Sequence, residues 1–76
     1  MSKKISKEEL CYNCRQIHPI MSNGNPYESS LGEYLDSVGY QNPSARVFMN
    51  QQILHFLKNN GGCSSCIGLL ERATKS

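Results

Sequence analysis

Two pairs of cysteines in the same frame constrain this chain more than anything else in it: Cys11-Tyr12-Asn13-Cys14 near one end and Cys63-Ser64-Ser65-Cys66 near the other. A C-x-x-C lets two thiolates leave one tight turn toward a single ion, and two such turns fill a tetrahedral shell. The expected ligand set is therefore Cys11, Cys14, Cys63 and Cys66, and the expected ion is Zn2+. Four thiolates leave no open coordination position for a substrate, so the site reads as structural. It would tie the two ends of the chain together.

Length makes such a staple useful. The chain has 76 residues, room for one small domain, residues 1–76. A domain of that size buries only about 60% of its unfolded surface. Small scaffolds commonly add a metal, disulfides or a partner to stay folded. The strongest apolar material lies in residues 47–57 and 67–70, and there is no tryptophan.

The ten N-terminal residues carry charge but no apolar signal-peptide core, and no stretch approaches membrane-spanning length. The expectation is a cytoplasmic, intracellular chain. In a reducing compartment paired cysteines are metal ligands more often than disulfides. Two alternatives for the cysteines stay open, a pair of disulfides and a redox-active C-x-x-C. The second is weakened because a thioredoxin-like fold needs a sheet and far more chain than the ten residues after Cys66.

Hydrophobic spacing predicts a mainly α fold. Ser6-Lys7-Glu8-Glu9 has the form of a capping box, which would open a single turn running into Cys11. Residues 17–21 are too short for a period and read as extended, and 22–26 read as a turn. Ser29 or Ser30 can cap a helix in which Leu31, Tyr34, Leu35 and Val38 share one face, with Gly39 as its stop. Asn42 then suits an N-cap and Pro43 the first helical position of a longer helix over 43–58. Its apolar stripe would be Ala45, Phe48, Met49, Ile53, Phe56 and Leu57, and residues 59–62 would end it. A last helix begins at the second cysteine pair and frays in residues 74–76.

A knuckle supplying two ligands, with a helix N-terminus supplying two more, resembles the treble-clef zinc site. The resemblance covers the four cysteines and the last helix only. Treble clefs place a β-hairpin between the pairs, where residues 15–62 here read as mostly helical. His18, four residues past Cys14, is a possible substitute ligand, but with four cysteines present a packing or surface role fits it better.

Charge narrows the function. Residues 1–15 net +2, residues 16–45 net −3 through Glu28, Glu33 and Asp36 with no Lys or Arg, and residues 46–76 net +3. There is no dense basic stripe of the kind strong nucleic-acid binders carry. No catalytic triad or carboxylate pair can be argued, so the chain reads as non-enzymatic. The expected function is a zinc-binding regulator, adaptor or inhibitor that docks on a larger protein, with the transcription or nucleic-acid machinery as the candidate setting. Tyr27, Tyr34 and Tyr40 would anchor the contact, with Glu33, Asp36 and Arg46 around them. The alternative is a DNA- or RNA-binding regulator that uses residues 31–57 as a helix-turn-helix-like hairpin between the two C-x-x-C knuckles, with Ser44, Arg46, Asn50 and Gln51 or Gln52 toward bases. A thiol-disulfide protein is a third, less favoured class.

Overall fold

The computed structural model describes residues 3–20 and 23–75. Five α-helical segments follow one another: α1 (Tyr12–Arg15), α2 (Leu31–Leu35), α3 (Val38–Gln41), α4 (Arg46–Asn59) and α5 (Ser64–Lys75). Short 3-10 turns at Lys7–Glu9 and Pro43–Ala45 precede α1 and α4. Among the described residues the only extended pairing is an isolated bridge between Ile20 and Pro26. The fold is mainly helical, as the spacing predicts, and the β-hairpin of a treble clef has no counterpart among these residues.

Local chemistry explains each boundary. The N–H of Ser6 donates to the Glu9 carboxylate at 2.9 Å, as the capping-box pattern requires. The turn does not continue into Cys11, because Leu10 is extended (ψ 146°) and Cys11 starts a separate helical turn. Ser30 caps α2: its hydroxyl accepts from Glu33 N–H at 3.4 Å, and the Glu33 carboxylate accepts from Ser30 N–H at 3.2 Å. The continuous helix expected over 31–38 is broken after Leu35. Ser37 is extended there and its hydroxyl accepts from Tyr40 N–H at 3.3 Å, so it opens α3 as a new N-cap. Gly39 consequently lies inside α3 rather than ending a helix, and Val38 is 87% exposed instead of facing the core.

Asn42 and Pro43 do cap and open a helical turn, but that turn is the 3-10 segment Pro43–Ala45, so the helix expected over 43–58 begins as α4 only at Arg46. The Asn42 carboxamide oxygen accepts from Ser44 N–H at 3.1 Å, with Pro43 in the first turn. At the far end of α4, Gly61 adopts φ +77° and Gly62 N–H closes onto the Leu57 carbonyl at 2.7 Å. That is the left-handed cap for which glycine is favoured. The chain then reverses, and α5 packs along α4.

Ile53 and Leu57 of α4 meet Leu70 and Ala73 of α5, Leu31 and Leu35 of α2, and Tyr40 of α3 in one apolar cluster. Ile5 and Leu10, from a segment whose sequence reads mainly as charged, are sealed into the same cluster. The stripe expected on α4 is only partly buried: Phe48 is 60% exposed, and its neighbour Val47, outside that stripe, is 43% exposed. Among the described residues no helix is long and apolar enough to cross a membrane.

Candidate metal centre

The four cysteine sulfurs converge within 4.8 Å of one another at the junction of α1 and the start of α5. The two pairs are built alike. Cys11 is the N-cap of α1, and its Sγ accepts from the N–H of Cys14 at 3.4 Å. Cys63 stands directly before α5, and its Sγ accepts from the N–H of Cys66, also at 3.4 Å. Each C-x-x-C thus spans the first turn of a helix, with a sulfur where a serine or aspartate oxygen usually caps. The first pair is therefore a helix start rather than the loop knuckle expected for it.

The pairs also serve each other. Cys11 N–H donates to Cys66 Sγ at 3.3 Å, and Cys63 N–H donates to Cys14 Sγ at 3.3 Å. Every sulfur therefore receives one backbone N–H, two from its own turn and two from the opposite turn. Cys63 Sγ lies 3.6 Å from both Cys11 Sγ and Cys14 Sγ. A disulfide requires about 2.05 Å, so these are four separate thiols.

Burial divides the set. Cys14 and Cys66 are 2% and 4% exposed, whereas Cys11 and Cys63 face solvent. The backbone N–H of Cys66, helped by the neighbouring thiols, lowers the Cys63 thiol to about 7. Burial pushes the Cys14 and Cys66 thiols up. The site thus mixes one ready thiolate with two groups that gain most from a cation's charge. These four residues could hold a metal ion. His18 is outside the cluster: its Nδ1 pairs with the Tyr27 carbonyl at 3.0 Å.

The residues expected at a partner surface fare unequally. Tyr40 is fully buried. Its hydroxyl donates to Asn50 Oδ1 at 2.8 Å and accepts from Ile5 N–H at 2.6 Å, so it holds the core and presents nothing to a partner. Asn50 is likewise sealed, with its Nδ2 on the Lys3 carbonyl at 2.9 Å, which removes it from any base-reading face. Tyr34 is half-buried, donates to Met49 Sδ at 3.0 Å and meets Tyr27 edge-on, with ring centroids 6.3 Å apart. Glu33 is exposed and caps α2, while Asp36 pairs with Lys7 at 2.8 Å. Arg46 donates to the Gln41 carbonyl at 3.1 Å.

The exposure of Val38 and Phe48 was not legible in the sequence, because their spacing assigned each to a buried helix face. Comparison with protein-family models, curated proteins and solved structures returns no match for this chain.

Proposed function

We propose that the chain is a non-enzymatic zinc-binding module, stapled end to end by Cys11, Cys14, Cys63 and Cys66, that regulates or adapts a larger protein by docking on it in the cytoplasm. The observation that carries the zinc reading is the sulfur geometry. A tetrahedron with Zn–S bonds of about 2.3 Å has edges of roughly 3.8 Å, and Cys63 stands 3.6 Å from two of its partners. One N–H to each sulfur offsets the excess negative charge that four thiolates leave on a divalent ion. With all four positions taken by sulfur there is no vacancy for a substrate, which supports a structural role over catalysis.

The partner reading rests on what remains accessible. The acidic middle of the chain keeps Glu28 and Glu33 exposed, and Val38, Val47 and Phe48 are large apolar residues in solvent. Tyr27, Tyr34 and Arg46 are each partly accessible, with Asp36 exposed. The 31–57 hairpin as a nucleic-acid reader is the less supported alternative, since Asn50 is internal and Arg46 already serves the Gln41 carbonyl.

Metal analysis of freshly purified protein tests the first half of the proposal. One zinc per chain is expected, and chelation or Cys63→Ser should collapse the helical circular dichroism, because metal affinity is folding free energy in modules of this kind. A helical spectrum unchanged after complete metal removal would refute the staple. Affinity capture tests the second half: recovery of nucleic acid without any protein would replace docking by the nucleic-acid reading.

A further inference from the structure

The cysteine centre combines two features that a purely structural staple does not require. The first cysteine of each pair is exposed while the second is sealed. The exposed sulfurs, Cys11 and Cys63, also sit next to each other across the two turns, at 3.6 Å. We infer that Cys63 and Cys11 are a site of reversible oxidation by hydroperoxides, forming a disulfide between the two turns rather than within either C-x-x-C. The inference rests on the reading of these residues as a thiolate centre, and it assigns the site a reactivity beyond holding an ion.

The chemistry balances as follows. The exposed Cys63 sulfur attacks one oxygen of the hydroperoxide. The O–O bond breaks, and its electron pair leaves on the other oxygen, which takes a proton and departs as water or an alcohol. Cys63 is then a sulfenic acid. The Cys11 thiolate attacks that sulfur, the S–O bond breaks, and the hydroxide takes a proton and leaves as water. Two thiolates, one hydroperoxide and two protons give a disulfide, an alcohol or water, and a further water. The sulfurs lose two electrons in total and the peroxide gains them. An ion held by the four sulfurs would take no part in the electron transfer and would lose two of its ligands, Cys11 and Cys63.

Burial selects the pair. Cys14 also lies 3.6 Å from Cys63, but it is 2% exposed and accepts the N–H of Cys63. Cys66, at 4% exposed, accepts the N–H of Cys11 in the same way. These two thiols are shielded by the turns that would be joined. Closing the exposed pair from 3.6 Å to a bonded distance of about 2.05 Å brings the two turns together along a contact they already make. The product keeps the chain ends fastened after the metal has gone. Oxidation and chelation therefore have opposite consequences for the fold.

Tryptic mapping decides this on the unmodified protein. Cleavage after Lys7 and Arg15, and after Lys58 and Arg72, places Cys11 with Cys14 in residues 8–15 and Cys63 with Cys66 in residues 59–72. A disulfide between turns joins these two peptides into one species, whereas one within a C-x-x-C leaves them apart. The zinc-loaded protein is treated with one equivalent of hydrogen peroxide, alkylated under denaturing conditions, digested and fragmented. The expected result is a Cys11–Cys63 link, with Cys14 and Cys66 alkylated, zinc released in step, and reversal by thiol reductant. Links within either pair, a Cys14–Cys63 link, or oxidation to sulfinic acid without a link would overturn the inference. Metal content is measured before the peroxide is added. Absence of zinc at that stage counts against the metal centre alone, because the same map on the reduced chain still decides which sulfurs join.

Discussion

The hydroxyl of Tyr40 donates to Oδ1 of Asn50 at 2.8 Å, and both side chains are fully shielded from solvent. The same hydroxyl accepts from Ile5 N–H, and Asn50 Nδ2 reaches the Lys3 carbonyl. Two helical side chains thus satisfy the backbone of the segment that leads into Cys11. Tyr40→Phe keeps the ring but leaves the Ile5 donor and the Asn50 acceptor buried without a partner. The expected cost is about 1–3 kcal/mol. In a domain of this size that lowers the melting temperature by roughly 4–8 °C per kcal/mol, read by thermal denaturation of the metal-loaded protein. A Tyr40→Phe protein as stable as the parent would show that the network is not satisfied as described.

The limits of the sequence are clearest at these same residues. Caps are local, so Ser6, Ser30, Asn42 and the Gly61–Gly62 stop could be read from a few adjacent positions. The four cysteines were legible because their spacing repeats. Tyr40 and Asn50 were not, because an amphipathic tyrosine and a mid-helix asparagine look like surface residues until tertiary packing supplies both partners. The break after Leu35 was hidden for a related reason. Ser37 competes for the backbone as an N-cap, and an apolar period spanning 31–38 cannot register that competition. Ile5 was masked by the lysines around it.

The turn before Cys63 should tolerate little change. A Cβ on Gly62 would lie 2.7 Å from the Leu57 Cβ and 2.9 Å from its Cα, atoms fixed by α4. Gly62→Ala must displace the chain at the residue that precedes a cysteine of the cluster. A loss of about 1–3 kcal/mol is expected from overpacking, together with weaker metal retention in a chelator competition. Gly61→Ala meets open space and only the strain of its φ of +77°, about 1–2 kcal/mol, and should leave metal retention nearer the parent. Equal metal loss in the two variants would argue against the steric account.

Acid should release the metal. Cys63 has its thiol lowered from 9.0 to about 7. Its thiolate therefore contributes stability that is fully present above the ordinary value and is lost as pH falls through about 7. Cys14 and Cys66 are shifted the other way by burial, so they hold protons more strongly than ordinary thiols and compete with the metal even at neutral pH. Binding must then displace a proton from Cys14 and Cys66, from Cys63 as well below neutrality, and from any other thiol of the cluster that carries one. Affinity measured against a chromophoric chelator should fall by at least about two orders of magnitude per pH unit, and more steeply below neutrality. An affinity independent of pH between 8 and 6 would exclude thiolate ligation.

Docking and stability should separate on the exposed apolar residues. Val38 is 87% and Phe48 60% exposed, and the structure gives neither a place in the buried cluster. Val38→Ser and Phe48→Ser should therefore change stability by no more than about 0.5 kcal/mol. If these side chains meet a protein partner, the same changes remove contact area where interfaces concentrate their energy, and capture of that partner from extract should drop at least tenfold. Tyr40→Phe is the control, since it weakens the fold without altering the surface. Partner capture lost with Tyr40→Phe but retained with both serine variants would move the docking surface away from α3 and α4.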